Sequence, residues 1–217
     1  MNSEPRKLPG GLLIIFEGLD GAGKSTQIEL AAEQLRNSGW TVKLSRNLGG
    51  TPIGEALRQV MLSDIERPPE ADLYMSAAIQ VALVLDIKKA RDNGEIILLD
   101  RGPLSLAAYQ IYGSGVSDEL AWPHVAGGLS KLAPELTLFY QGDPAAMLAR
   151  AKRQSDADYF ESKPIDYFEK VAQGYQESIK RSELFVTVID AAQPVEAVAA
   201  TSQAAIEQVL EKKLKQL

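Results

Sequence analysis

The chain has no cysteine and only one histidine in 217 residues. Disulfides and thiolate metal sites are thereby excluded, and a reducing compartment such as the cytoplasm fits. The histidine, His124, stands far along the chain from the loops described below and reads as structural or exposed. Excess positive charge is missing too. The formal net charge is −6 with acids and bases interspersed, so nothing marks a nucleic-acid surface. Long apolar runs are absent. Leu12 to Phe16 is ended by Glu17, too short for a secretory signal, and no stretch approaches the length of a membrane span. No repeat and no linker divides the sequence. Its first residues, 1–10, are polar and proline-containing and are expected to form a flexible tail. Residues 11–217 are then one α/β domain, long enough to bury a large core.

The most informative stretch is Gly18-Leu19-Asp20-Gly21-Ala22-Gly23-Lys24-Ser25-Thr26. It fits the phosphate-loop spacing of a glycine, four residues, then Gly-Lys-Ser/Thr. Leu12 to Phe16 before it is an apolar, partly β-branched run, as a buried parallel strand should be. Gln27 to Arg36 after it has Ile28, Ala31, Ala32 and Leu35 on one helical face. A strand, a glycine loop and a helix in that order aim backbone N–H groups and a positive helix end at an anion. Lys24 is expected to reach the outer phosphates of a nucleotide, and Ser25 to ligate Mg²⁺.

The rest of the chain alternates between strands and helices. Thr41 to Ser45 reads as a second strand and leads to Arg46, then to a turn at Gly49-Gly50. Thr51-Pro52 has the pattern of an N-cap followed by proline at the first helical position, with the helix running to Met61. A long helix is predicted over roughly Glu70 to Asn93, its centre nearly all apolar or small. Ile96 to Leu99 is a central strand ending in Asp100-Arg101, where a carboxylate beside the phosphate loop can hold Mg²⁺ through water. Short helices are predicted over Leu104 to Tyr112 and Asp118 to Leu132, and a fourth strand over Leu136 to Tyr140. Asp143-Pro144 caps a helix to about Lys152. The polar stretch that follows, together with its flanks near 150–164, reads as a mobile lid. Phe168, Val171, Tyr175 and Ile179 form the core stripe of the next helix, before a fifth strand, Phe185 to Asp190, and a final helix from Pro194. This pattern predicts a three-layer α/β fold with a five-stranded parallel sheet and helices on both faces. The phosphate loop, Arg46 and Arg101 would meet at one sheet edge.

Four segments make the chain resemble the thymidylate kinases, a family of phosphate-loop nucleoside monophosphate kinases. They are Glu17 to Gln27; Arg46 with Gly49-Gly50-Thr51-Pro52; Asp100-Arg101 with Ser105, Ala108, Tyr109 and Gln110; and Asp143-Pro144 followed by Arg150, Arg153, Asp158, Glu161, Asp166 and Phe168. The resemblance implies a nucleotide kinase fold, a homodimer, and phosphoryl transfer from MgATP to a deoxynucleoside monophosphate. It implies an ATP site over Gly18 to Thr26, and an acceptor site including Asp20, Arg46, Arg101, Tyr109 and Gln110. Tyr109 is expected to crowd the 2′ position of the sugar. Gly21 stands where one branch of the family carries an arginine, so Arg150 and Arg153 are expected to supply that charge from the lid.

Several positions depart from the family's pattern. The usual Arg-Glu-Pro before Gly-Gly is Arg46-Asn47-Leu48 here. The long-helix positions expected to stack on the base and bond it are assigned to Met75 and Ile79, four apart on one face. The turn after Tyr109-Gln110 lacks an arginine, and the lid's Asp-Arg pair is Asp158-Tyr159. Three readings stay open: a thymidylate kinase with a diverged base pocket, a kinase of this fold for another or modified deoxynucleotide, and a regulatory ATP-binding protein.

Overall fold

A computed structural model describes residues 5–153, 159–160 and 162–217. Asp158 and Glu161, and with them much of the expected lid, lie outside the described residues.

Five strands form one sheet: β1 (Leu12–Gly18), β2 (Val42–Arg46), β3 (Ile96–Asp100), β4 (Leu136–Gln141) and β5 (Val186–Asp190), in the order β2-β3-β1-β4-β5. All four pairings are parallel. The central β1 is buried along its whole length, which is why its sequence shows no polar alternation. Its side chains nevertheless alternate between two cores. Leu12, Ile14 and Phe16 pack with Ile28, Ala32 and Leu35 on one side. Leu13 and Ile15 pack with Leu83, Ile87 and Leu132 on the other.

The helices are α1 (Lys24–Asn37), α2 (Pro52–Leu62), α3 (Pro69–Asp92), α4 (Pro103–Leu106), α5 (Asp118–Leu132), α6 (Pro144–Ala151), α7 (Ile165–Ser182) and α8 (Val195–Leu214). Predicted caps are in place: Thr51 Oγ1 accepts from Gly54 N at 3.1 Å, and Asp143 Oδ2 from Ala146 N at 2.8 Å. The helix predicted over Leu104 to Tyr112 differs from expectation. After one α turn it widens into a π-helical run, Ala107–Gly113, carrying Tyr109 and Gln110. Helix α7 presses closely on this run: a side chain at Gly113 or Gly174 would collide with Tyr167 or Tyr112. Extra residues in one helical turn are a frequent way of re-aiming side chains at functional sites.

The tail expectation needs correction over residues 6–8. Arg6 N donates to Gly39 O and Thr41 N to Arg6 O, making a parallel bridge beside Trp40, and the Arg6 guanidinium lies 4.0 Å from the Trp40 ring. Leu8 is fully buried. One leucine between two prolines carries no periodic signal, so its place in the core was invisible in the sequence.

Candidate active site

Register brings the site together. Phe16 pairs with Asp100, and Arg46 with Asp100, so the ends of three strands lie at one level. The phosphate loop leaves β1 there. Gly23 occupies the N-cap of α1 in a left-handed conformation with no side-chain cap, which leaves the first N–H groups of the helix open to an anion. Lys24 Nζ lies back over the loop, donating to Leu19 O at 2.8 Å, 3.9 Å from Asp20 Oδ1. Burial, then the neighbouring Arg101 charge, pulls the Lys24 ammonium below its ordinary value, against the pull of Asp20, Asp100 and Glu17.

Arg101 is the hub. Its backbone is left-handed, φ 63°, and is pinned by Arg101 N donating to Phe16 O at 2.8 Å. A non-glycine residue held in this region is strained, and such strain clusters at functional sites. One guanidinium nitrogen donates to Gly18 O at 2.9 Å and Tyr175 Oη at 2.8 Å; the other donates to Asp20 Oδ1 at 2.5 Å and Tyr109 Oη at 3.2 Å. Tyr109 Oη in turn donates to Asp20 Oδ2 at 3.2 Å. Desolvation works to raise the Asp20 carboxyl, but Arg101 and then Lys24 outweigh it and hold Asp20 well below the usual carboxylate range.

Beneath this cluster lies a group whose contacts the sequence concealed. Glu17 is fully buried and accepts from Gly102 N at 2.9 Å, Ser105 N at 3.2 Å and Ser105 Oγ at 2.5 Å. Desolvation pushes its carboxyl up despite these bonds. Tyr175 belongs to the predicted core stripe, yet its hydroxyl also contacts Ser105 and Arg101. Glu17 and Tyr175 thus fix the start of α4 and Arg101 against the phosphate loop.

A cleft opens in front of Arg101. Four predicted acceptor residues line it: Asp20, Arg101, Tyr109 and Gln110. Asn47, Leu48, Arg58, Leu62, Ser76, Ser105, Leu106 and Phe160 also line it, and none of them was assigned to the acceptor site from the sequence. Gln110 is buried, and its Oε1 has no hydrogen-bond partner.

Three residues assigned to the acceptor site, Arg46, Met75 and Ile79, fall outside this cleft. Arg46 is not among the residues lining this cleft. Its guanidinium grips Glu55 through two bonds, 3.1 and 2.6 Å, and Glu55 also takes Gly50 N at 2.8 Å, so the arginine is held beside the glycine turn. Met75 and Ile79 do not line the cleft either. Ile79 is fully buried in the core, and Met75 is packed against it. Ser76, one residue and about 100° further round the helix, lines the cleft. Gln80, one turn beyond Ser76, is buried and donates to His124 O at 2.9 Å. A signal was available: between Met75 and Leu85 the only polar residues are Ser76 and Gln80, four apart.

A second cleft lies on the other side of the phosphate loop. Ser25, Arg46, Gly50 and Asp100 line it. Asp100 Oδ1 is buried without a hydrogen-bond partner, and it shares this space with the Ser25 hydroxyl. Two oxygen donors, one of them unsatisfied, fit a hard divalent cation such as Mg²⁺.

Helix α6 packs on the loop itself. A Cβ on Gly21, φ 77°, would collide with the Met147 carbonyl, so α6 takes the space a side chain at 21 would need. The same helix carries Arg150, whose Nη1 donates to Ala191 O at 3.1 Å beside the end of β5. Arg153 follows α6 and is exposed.

A phosphate loop on a five-stranded parallel sheet, joined through Asp20 to a second polar cleft, defines a phosphate-loop nucleotide kinase of α/β architecture. Comparison with known proteins narrows this. The thymidylate kinase family model matches residues 16–201. The chain is 36% identical over 198 residues to a thymidylate kinase of Paracidovorax citrulli, covering 88% of this chain and 90% of that one. It is 35% identical over 205 residues to one of Pseudomonas fluorescens, covering 93% and 98%. It is 34% identical over 187 residues to one of Kosmotoga olearia, covering 85% and 90%. The chain belongs to the thymidylate kinase family.

Proposed function

We propose that this chain transfers the terminal phosphoryl group of ATP to thymidine monophosphate, giving the diphosphate and ADP. The observation that carries this reading is the place of Asp20. It is part of the phosphate loop and also lines the cleft, so a donor on the loop and an acceptor in the cleft meet at one point.

In this reading the loop N–H groups and Lys24 hold the donor phosphates. Arg101 presents its guanidinium to the acceptor phosphate, and Asp20 and Tyr109 keep that guanidinium oriented. Phosphoryl transfer needs two phosphates held in line and positive charge around the moving group, with little covalent help. The acceptor phosphate oxygen forms a bond to the terminal phosphorus as the bond to the bridging oxygen breaks, and ADP leaves. Ser25 and Asp100 would hold Mg²⁺, which when bound offsets charge on the donor phosphates. Gln110 Oε1, buried and unpartnered, is an acceptor suited to a base N–H. Tyr109 packs edge-on against Tyr167 and Tyr175, a rigid wall that fits a sugar without a 2′ hydroxyl.

A homodimer belongs to the same proposal. Tyr74, Val81 and Leu85 of α3 are each more than half exposed and stand at helical spacing on one face. A second copy of this chain is the occupant we propose for that face, with light scattering as the check. A cytoplasmic location accords with a chain that has no cysteine.

The test is steady-state turnover of ATP with a panel of nucleoside monophosphates, each deoxy form paired with its ribose counterpart. Thymidine monophosphate is expected to give the highest kcat/KM. A different best base would favour the kinase for another deoxynucleotide, a reading favoured by Ser76 in the cleft wall. Binding of ATP without turnover of any acceptor would favour the regulatory reading.

A further inference from the structure

Aromatic rings are scarce in the acceptor cleft. Among the described residues, the only ring lining it apart from Tyr109 is Phe160. Tyr109 is committed to the phosphate end, since its hydroxyl bonds both Asp20 and Arg101. The wall provided by α3 contributes Ser76, which has no planar surface. A nucleobase lying away from Arg101 therefore meets one aromatic face.

Phe160 is held for such a role. It is 7% exposed and stands edge-on to Tyr109, with ring centroids 6.1 Å apart and planes at 89°. Its neighbour Tyr159 is gripped by two cations, Arg67 at 4.5 Å and Lys163 at 4.1 Å from the ring centre. Arg67 is itself fixed by a buried 2.6 Å ion pair with Asp72, in the first turn of the helix that carries Ser76. Tyr159 is thus tied through Arg67 to the N-terminal end of α3, and its neighbour Phe160 lines the same cleft as Ser76.

Resting on the thymidine monophosphate reading above, we propose that Phe160 supplies the aromatic surface against which the acceptor base packs. Base recognition is then shared between Phe160, which takes the π-face, and polar groups such as Gln110, which meet the edge. A base stacked on a single aromatic side chain gains enough that truncation to alanine costs about tenfold to a hundredfold in affinity.

The test combines calorimetric binding of thymidine monophosphate to the full chain with steady-state kinetics. Phe160→Ala is expected to weaken nucleotide binding and raise its KM about tenfold to a hundredfold, with the KM for ATP unchanged. Phe160→Leu keeps apolar bulk without a ring and should fall between the two. Adding Ser76→Phe to Phe160→Ala, which puts a ring on the α3 side of the cleft, should recover part of the loss. Unchanged nucleotide affinity in Phe160→Ala would overturn the inference. So would parent-like affinity in Phe160→Leu, or equal rises in both KM values. If the parent protein binds no nucleoside monophosphate at all, the functional reading fails and this inference goes with it.

Discussion

Arg101 and Asp20 form a 2.5 Å ion pair across 81 residues of sequence, and Arg101 adopts a left-handed backbone to make it. The same guanidinium also reaches Gly18 O, Tyr175 and Tyr109. A lysine has one nitrogen where arginine has a planar fork, and cannot serve these directions together. Arg101→Lys is expected to lower kcat/KM for the acceptor on the order of a hundredfold, with a smaller effect on the KM for ATP.

Lys24 is buried, and its ammonium is pulled below its ordinary value chiefly by that burial. In the proposed role on the donor phosphates, the side chain would act at some cost to stability. Lys24→Ala should reduce kcat by on the order of a hundredfold or more. Its melting temperature should equal or exceed that of the parent. A variant with parent-like turnover would show that the loop has no catalytic part.

Ile79 has no exposed surface. An arginine there would not reach the cleft and would bury an unpaired charge, costing about 3–5 kcal/mol. Ile79→Arg should unfold at markedly lower denaturant concentration than the parent. Improved thymidine monophosphate binding by a stably folded Ile79→Arg would show that this helix face does meet the base.

Glu17 is raised from its ordinary value of 4.5 by burial. The folded state therefore holds a proton that the unfolded chain releases first. Its contribution to stability is full below about 4.5 and is lost as pH rises toward the raised folded value. Glu17→Gln can still accept from Gly102 N and Ser105 N while removing this titration. The difference in unfolding free energy, parent minus variant, is expected to fall with rising pH above 4.5. Denaturant melts of both proteins at several pH values measure it, and a flat difference would place the Glu17 titration at its ordinary value.

Arg150 and Arg153 stand three apart near the end of α6, the helix pressed against Gly21. Loss of both is expected to slow phosphoryl transfer about tenfold to a hundredfold, with at least one of the single alanine variants impaired. Arg→Lys at the residue that matters should also impair. Parent-like turnover in both single variants and in the double variant would exclude a donor-phosphate role for either.

Local order was legible in the chain itself. The glycine spacing from Gly18 to Lys24, the apolar strands, Thr51-Pro52 and Asp143-Pro144 each state their conformation within a few residues. In such stretches turn geometry, capping and burial period act over short range. The α/β class and the parallel sheet follow from the order of those elements. Asp20, Arg101, Tyr109 and Gln110 could be brought to one cleft because strand ends converge in such a sheet.

Which side of a helix meets the cleft was decided only in three dimensions. Met75, Ser76, Ile79 and Gln80 differ by a rotation of about 100° per residue. The packing of α3 against sheet and neighbours sets that rotation, burying Ile79 and turning Ser76 to the cleft. Arg46 was captured by Glu55 through a turn whose direction no residue type declares. Leu8 found the core, and Glu17 and Tyr175 became the footing of Arg101, through contacts with residues remote in sequence. Composition and spacing specify the elements, because those forces are local; the pairing of side chains across elements depends on tertiary packing, and only the folded structure contains it.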